Sequence, residues 1–499
     1  MKKSKIAVGV IVALGVVWTG GAWFTGKQVE SHIGEMVTRA NQQLNSEFPG
    51  SHLQLTQQNF QRGVFSSQVQ LVLQGTAQAG EDDALPAEQK VIFNETIDHG
   101  PLPFAQLKHF NLIPAAASIH TEIEKNGTVQ GLFSLSNGNS PLSAETRLGY
   151  DKSSQTDISV KPLQYSDDTG KVSTQPSQLH LSVDGEQNNI RVNADIGDLN
   201  AGFTNDSHQP VTLQVNGLQF SGDTHLSPEG LRLGKQSLDL KALSTSVNGQ
   251  PMLAVSGVTL NSDFNNTAGK TNGRIDYNVD DLQMKQQSLG SAALKVTLSN
   301  FDTQSVKTFY DNYNNIVKQN LALAASNGQA DPQVMQQAAN AALLQNLPLL
   351  LKGSPVLSVD SLTLKNDKGV SSFSLKADFN DPSTVTQAPQ SLGQVADGYM
   401  KDLNASLSIS MPMAEQLLSV VGQSQGYQPQ DADKLAQQQI QGLSAMGEMF
   451  HLSTVKDQNI VSSLQYSQGD VTVNGAKMPL DQFIQRYVPM MPDSEGSPQ

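Results

Sequence analysis

The chain has 499 residues, of which only 16% are charged, and 32 Lys and Arg against 46 Asp and Glu leave a net charge of −14. An acidic chain is a poor partner for nucleic acid, whose phosphates require Lys and Arg, so no nucleic-acid partner is expected. The absence of cysteine excludes disulfides, iron–sulfur clusters and thiol nucleophiles. The length exceeds one ordinary compact core and predicts two or more domains or an elongated body.

The N-terminus has the pattern of a membrane anchor. Residues 6–24 carry no charged side chain and are flanked by lysines, and as a helix they would span about 28 Å, close to the thickness of a hydrocarbon core. The basic end should stay in the cytoplasm and the body should lie across the membrane. A cleaved signal peptide is the alternative, because Gly20 and Ala22 are small residues at a possible cleavage site. In both interpretations, the body of the protein is exported across the membrane.

A helix is predicted next, over residues 27–48. Its apolar positions recur at helical spacing on one stripe: Val29, Ile33, Met36, Val37, Ala40, Leu44 and Phe48. The stripe could pair with another copy of the chain, giving a homo-oligomer through this stalk, or it could dock on the body.

Alternation of apolar and polar residues dominates the rest of the chain, as in Val69, Leu71 and Leu73 or Leu294, Val296 and Leu298. This period of two predicts short antiparallel strands with one polar face. Turn signals separate many of them: Asp184-Gly185, Asn216-Gly217, Asn248-Gly249, Asn272-Gly273 and Asn474-Gly475.

Helical patterns interrupt the strands. The first runs from Asp302 to Ala325, and the second begins at Asp331-Pro332 and is expected to break near Pro348. Further helices are predicted over 411–422, over 431–450 and near Pro479. The fold class is therefore mainly β with α (α+β): an extended, curved antiparallel sheet with a helical hairpin insertion, preceded by one transmembrane helix.

These patterns divide the chain into six regions. They are a basic N-terminus with its anchor (1–26), a stalk helix (27–48), a β-rich periplasmic region (49–300), a helical hairpin (301–353), a C-terminal β-rich region with helices (354–486) and a flexible tail (487–499).

Local motifs for chemistry are missing. The nine histidines form no HExxH or other metal signature, and the chain has neither a GxSxG nucleophile elbow nor a phosphate-binding loop. No metal, no cofactor and no catalytic residue is predicted, and the chain is not expected to be an enzyme.

Three residues are retained as weak binding candidates: Arg62, Asp98 and His99. Arg62 precedes a glycine and could clamp an anionic group, although a bend between strands explains it as well. Asp98 and His99 end an alternating segment, so their side chains should point to opposite faces and could not readily form a dyad. The following Gly100-Pro101-Leu102-Pro103 should make a rigid corner, behind which Phe104, Leu107 and Phe110 pack a short helix.

Several segments resemble, in combination and over nearly the full length, the YdgA family of enterobacterial envelope proteins. They read AVGVIVALGVVWTGGAWFTG in the anchor, RGVFSS at 62–67, VIFNETIDHGP at 91–101, FNLIP at 110–114, SAMGEMF at 444–450 and NGAKMPLDQF at 474–483. The resemblance implies a single-pass protein of the bacterial inner membrane with its body in the periplasm. It implies no activity, because the family is a domain of unknown function. A weaker, fold-level similarity links the strand pattern to AsmA-like envelope proteins.

Three functions follow as hypotheses. The first is a non-enzymatic scaffold or interaction protein in cell-envelope maintenance or assembly. The alternative is a lipid-binding or lipid-transfer protein, since a sheet with one apolar face can shelter acyl chains if that face is open and not filled by helices. A periplasmic hydrolase using Arg62, Asp98 or His99 is the third, and it would need partners brought together from distant parts of the chain.

Overall fold

The computed structural model describes residues 26–46 apart from 29 and 32, then 51–77, 85–108, 110–167, 170–326, 332–384 and 392–487. Strands account for 52% of the chain, and the paired strands are antiparallel, which confirms the predicted mainly β class with helices. No helix within the described ranges combines the length and the apolar character needed to cross a membrane. The predicted anchor at residues 6–24 lies outside the described residues.

The chain divides into two compact units. Unit 1 comprises residues up to Thr204, Gly217–His225 and Tyr313–Leu343. Unit 2 comprises Asn205–Asn216, Leu226–Asn312 and the residues from Leu344 onward.

Unit 1 is built on an antiparallel sheet in which β1, β2, β3, β4, β5, β6, β9 and β10 are successive neighbours. Its helices are α1 (26–46), α2 (Phe104–Lys108) and α3 (Gln130–Leu135). Its strands are β1 (Leu53–Arg62), β2 (Ser66–Gly75), β3 (Lys90–His99), β4 (Ala117–Ile123), β5 (Leu142–Leu148), β6 (Ser154–Val160), β7 (Gln164–Ser166), β8 (Gly170–Thr174), β9 (Ser177–Val183), β10 (Asn189–Ile196) and β11 (Leu199–Thr204).

Unit 2 is built on long strands, joined mostly by tight turns, in which β13 to β19 pair in sequence order and β21, β22 and β23 follow β19. They are β13 (Arg232–Val247), β14 (Gln250–Thr267), β15 (Lys270–Met284), β16 (Gln287–Asp302), β17 (Val356–Asn366), β18 (Gly369–Phe379), β19 (Met400–Ser410), β20 (Thr454–Lys456), β21 (Asn459–Ser467), β22 (Asp470–Val473) and β23 (Ala476–Pro479). β12 (Pro210–Leu226) contributes residues to both units.

The remaining helices are α4 (Thr303–Ser326), α5 (Pro332–Leu351), α6 (Leu392–Tyr399), α7 (Met411–Ser424), α8 (Pro429–Met449) and α9 (Leu480–Tyr487). The predicted break near Pro348 is wrong, because α5 continues through that residue to Leu351. A proline removes one N–H bond, but the residues after it can still donate to the preceding turn.

Two predicted turns are also wrong. Asn216-Gly217 lies inside β12 and Asn272-Gly273 lies inside β15. At position 273 the Phe264 ring of β14 packs where a Cβ atom would stand, so glycine serves a close approach between strands. Cross-strand packing therefore overrides the local turn preference at this pair.

The helix α1 docks on the sheet of unit 1. Ile33 is buried with Val69, Ile97 and Ala117, and Phe60 packs against the same cluster. On the next turns the side chain of Asn41 donates to the carbonyl of Leu55 and accepts from its N–H, both at 2.7 Å. The amide thus satisfies both backbone groups of one residue on edge strand β1. The sequence predicts that the apolar stripe of α1 either pairs with another copy of the chain or docks on the body. The structure shows it docked on unit 1, although Met36 is exposed.

Candidate functional site

An apolar row crosses seven neighbouring strands of unit 2. Directly opposed residues of antiparallel strands lie on the same face of a sheet. The pairing register places Leu238, Leu260, Tyr277, Leu294, Leu362, Phe373 and Leu407 opposite one another in succession, from β13 to β19. With strands about 4.8 Å apart, the row is about 29 Å long.

Two shorter rows lie beside it on the same face. The second consists of Ile275, Val296, Val359, Leu375 and Ala405, and the third of Leu298, Leu357, Ala377 and Leu403. These 16 side chains carry no charge, and we call them the apolar face.

The apolar face is partly open. The exposed fraction is 38% for Leu260, 37% for Tyr277 and 38% for Leu362, and no residue of the long row is buried. At one end the face is closed, because Leu403 packs in a cluster with Leu480, Phe483 and Ile484. The helix α9 therefore completes an ordinary core there, whereas the middle of the row keeps contact with solvent.

The opposite face of the same strands is polar. Arg274 donates to both carboxylate oxygens of Asp276, at 2.7 and 2.9 Å. Hydrogen bonds donated by the hydroxyls of Thr297 and Ser358 lower the pKa of Asp360. A polar sheet face is ordinarily exposed to solvent. Exposure of the apolar face is the unusual feature of this sheet, because large exposed apolar surfaces commonly mark binding sites.

His99 lies in a different place, at the end of β3 in unit 1, with 2% of its surface exposed. Its Nδ1 is 3.1 Å from the carbonyl oxygen of Val64, and its Nε2 is 2.8 Å from Oγ of Ser67. A carbonyl only accepts, so Nδ1 carries the proton and Ser67 donates to Nε2 of a neutral ring. Burial lowers the pKa of His99, against the opposing effects of the Val64 carbonyl and Asp98.

Asp98 points away from its neighbour. Its carboxylate accepts the backbone N–H of Ala105 at 2.8 Å and so ties the first turn of α2 to the end of β3. Arg62 pairs instead with Glu30 of α1, at 2.8 Å. The structure therefore brings none of the three predicted candidates together as one polar site.

The Ser67–His99 pair has the spacing of a nucleophile and its base. Ser67 is only 1% exposed, however, and Gly26 of α1 packs directly against the imidazole ring. A substrate has no access to the hydroxyl in this arrangement, so the pair acts as an internal strut between β2 and β3. Within the described ranges, no group of three or more His, Asp or Glu residues could hold a metal ion.

Sequence reasoning overlooked two partners of His99. Ser67 lies in the RGVFSS segment, but nothing local indicates that it meets a residue 32 positions away. Gly26 is predicted only as the last residue of the anchor region, 1–26. The signal that could have found Ser67 is the register of the β2–β3 hairpin, in which Ser66 stands opposite Asp98.

A bacterial protein family of unknown function, DUF945, matches residues 1–481. The chain belongs to the DUF945 family. Its relatives include Protein YdgA of Escherichia coli K12, which is 40% identical over 97% of this chain and 96% of its own length. The uncharacterized protein YihF of the same organism is 28% identical over 97% of this chain and 98% of its own length.

A third relative, an uncharacterized protein of Haemophilus influenzae, is 32% identical over 38% of this chain and half of its own length. No solved structure is significantly similar to the chain. The predicted resemblance to the YdgA family is thereby confirmed, and none of these relatives brings a stated activity with it.

Proposed function

We propose that this chain is a membrane-tethered protein of the bacterial cell envelope that binds lipid acyl chains along the apolar face of unit 2. Residues 6–24 would hold it in the inner membrane, with the N-terminus in the cytoplasm and both units in the periplasm. The observation that carries the proposal is the row from Leu238 to Leu407, of which Leu260, Tyr277 and Leu362 remain more than a third exposed.

Acyl chains suit this face for two reasons. The long row measures about 29 Å and the two shorter rows about 19 Å and 14 Å, so each is close to or longer than the roughly 15 Å of hydrocarbon that a chain occupies in one leaflet. Uncharged leucine, valine and tyrosine side chains gain from apolar burial but offer no hydrogen bonds to fix a polar ligand. A protein tethered by residues 6–24 would also have lipid as its nearest abundant apolar ligand.

A scaffold role is the second candidate, and α8 favours it. Leu443, Met446 and Met449 are spaced three residues apart along this helix, and each is at least half exposed. An envelope protein could bind there without any use of the sheet. Neither candidate requires a catalytic residue.

Site-specific photocrosslinking in the full-length chain separates the two candidates. Tyr277 is replaced by benzoylphenylalanine on the apolar face, and Asn278, its neighbour on the polar face, is replaced in a matched control. After irradiation of cells, intact-mass analysis is expected to find lipid adducts at position 277 and at least fivefold fewer at position 278. Equal adducts, or only peptide adducts at position 277, would contradict acyl-chain binding and favour the scaffold.

A further inference from the structure

The loop that follows α2 exposes three apolar side chains within four residues of the chain. The exposed fraction is 91% for Phe110, 69% for Leu112 and 61% for Ile113. The prediction that Phe110 packs behind the corner is therefore wrong, because its side chain points into solvent. We call residues 110–113 the apolar loop. A cluster of exposed apolar residues of this size marks an interaction surface more often than an ordinary loop.

The apolar loop is held in place by its backbone. The N–H of Phe110 donates to Leu107 at 3.0 Å, and the N–H of Asn111 donates to Gln106 at 3.0 Å. The N–H of Ile113 donates to the side chain of Asn111 at 3.1 Å. Fixed geometry of this kind presents the apolar side chains outward and does not let them fold back.

The base of the loop is tied to unit 1 on both sides. Ala115 donates to the carbonyl of Pro101 at 3.0 Å, and Arg147 donates to the carbonyl of Pro114 at 2.9 Å. The surrounding side chains are typical of a bilayer interface. Tyr150 is 56% exposed beside Gly100, and Lys108 is exposed in the last turn of α2.

The start of α1 lies next to the same base. Gly26 packs on the ring of His99, and Gly100, the next residue, donates its N–H to Ala116 at 2.8 Å. Only one residue separates Gly26 from the uncharged stretch 6–24, and consecutive Cα atoms are about 3.8 Å apart. Gly26, the first described residue of α1, therefore lies at the same His99–Pro101 corner of unit 1 to which the base of the apolar loop is bonded through Ala115.

We propose that the apolar loop inserts into the interfacial layer of the bilayer that residues 6–24 enter, and thereby fixes the orientation of unit 1 on the membrane. This inference rests on the membrane attachment proposed above. Phe110, Leu112 and Ile113 would lie among the upper acyl carbons, with Lys108 and Tyr150 at the headgroups.

The absence of cysteine makes a direct test simple. The full-length chain is reconstituted in phosphatidylethanolamine–phosphatidylglycerol vesicles as Leu112→Cys, and the single thiol is labelled with an environment-sensitive nitrobenzoxadiazole dye. The matched control is Gly127→Cys, because Gly127 has no neighbouring atom within 4 Å and follows the far end of β4. The first and last residues of the seven-residue strand β4 lie about 20 Å apart.

We expect lipids with a spin label near the headgroup to quench the dye at position 112 at least threefold more than the dye at position 127. Equal quenching in a chain that floats with the vesicles would overturn the loop inference and leave the attachment intact; a protein partner for the loop would then be sought. A chain that does not float would contradict the attachment, and with it the loop. The double substitution Phe110→Ser and Ile113→Ser in the labelled chain should reduce quenching at position 112 by at least half.

Discussion

Gly26 and His99 are packed so closely that a Cβ atom at position 26 would overlap the imidazole ring. A Cβ atom added to Gly26 would lie 2.6 Å from Nδ1 and 2.9 Å from Nε2 of the imidazole, and closer still to Cε1. The ring cannot move aside, because its two nitrogens are held by Val64 and Ser67. The first described turn of α1 is therefore fixed to the end of β3 by steric fit.

Replacement of Gly26 with alanine is expected to loosen α1. Overpacking of a tight site costs about 1–3 kcal/mol, and here the strain falls on the contact between α1 and His99. The amides of 26–46 should then exchange with deuterium about 5- to 100-fold faster in the full-length chain, since local opening is measured by exchange.

Gly34→Ala is the matched control, because Gly34 lies in the same helix with no atom within 4 Å. Alanine in a helix interior is favoured over glycine by about 0.5–1 kcal/mol, so exchange in α1 should slow or stay unchanged. Faster exchange in both variants, or in neither, would refute the steric fit.

Ser67→Ala should destabilise the β2–β3 hairpin. The change leaves Nε2 of a buried His99 without a donor, which costs about 1–3 kcal/mol. Hydrogen exchange of Ser66–Gly75 is the measurement, with the exposed Ser134→Ala in α3 as the control. If Ser67 were instead the nucleophile of a hydrolase, Ser67→Ala would abolish the hydrolase activity without a comparable loss of protection from hydrogen exchange.

The stability of the structure around His99, at the end of β3, should fall in mild acid. Burial lowers the pKa of His99, so the unfolded chain binds a proton at a higher pH than the folded chain does. The contribution of the neutral ring is complete above the ordinary pKa of about 6.5 and is lost as the pH falls below it. Protection of β3 amides should therefore drop between pH 7.5 and pH 5.

A His99→Gln variant tests the origin of that drop, because its amide does not titrate. Glu95, also on β3, has a pKa raised by burial and therefore changes stability in the other direction as the pH falls. If the variant loses protection with acid as steeply as the parent, titration of His99 is not the cause.

A charge on the apolar face should interfere with acyl-chain binding. Leu362→Glu places a carboxylate in the middle of the row, and desolvation of that charge by a bound acyl chain is costly. Lipid adducts at position 277 are expected to fall at least tenfold. Ser361→Glu is the control on the opposite face, where it stands across from Lys295; an equal loss there would argue against a specific role for the row.

The phenol of Tyr466 should ionise at a higher pH than that of an ordinary tyrosine. Burial, with the hydrogen bond that it donates to Asp397 at 2.8 Å, raises the pKa of Tyr466 to about 12. The protonated phenol is favoured by folding, so stability at this site is lost as the pH rises above the ordinary value near 10. Burial also raises the pKa of Tyr150, so absorbance at 295 nm should show fewer phenols ionising near pH 10 in the parent than after unfolding. Tyr466→Phe should reduce that difference by one phenol.

Several elements follow directly from local sequence. Alternation across Leu294, Val296 and Leu298 gave the correct face of β16, because side chains of a strand alternate whatever the partner strand is. The pattern after Asp331-Pro332 likewise placed the start of α5. The same rule of alternation is sufficient to predict that the side chains of Asp98 and His99 point to opposite faces of β3.

Other features depend on contacts between distant residues. Asn272-Gly273 reads as a turn, yet Phe264 of the neighbouring strand makes it part of β15. Phe110 reads as a packing residue, yet the bonds of its loop turn it outward.

By itself, the sequence determined the mainly β class, the one-sided strands, the apolar stripe of α1 and membership of the family, whereas the structure decided that the stripe docks on unit 1. The tertiary structure alone decided that Ser67 and Gly26 meet at His99, and that the row through Leu260, Tyr277 and Leu362 stays partly open. Periodicity is a property of neighbours along the chain, so sequence reports it. Burial of a face depends on which helices pack over it: α9 covers the end at Leu403, and the buried Met413 of α7 packs beside Ser371 of β18.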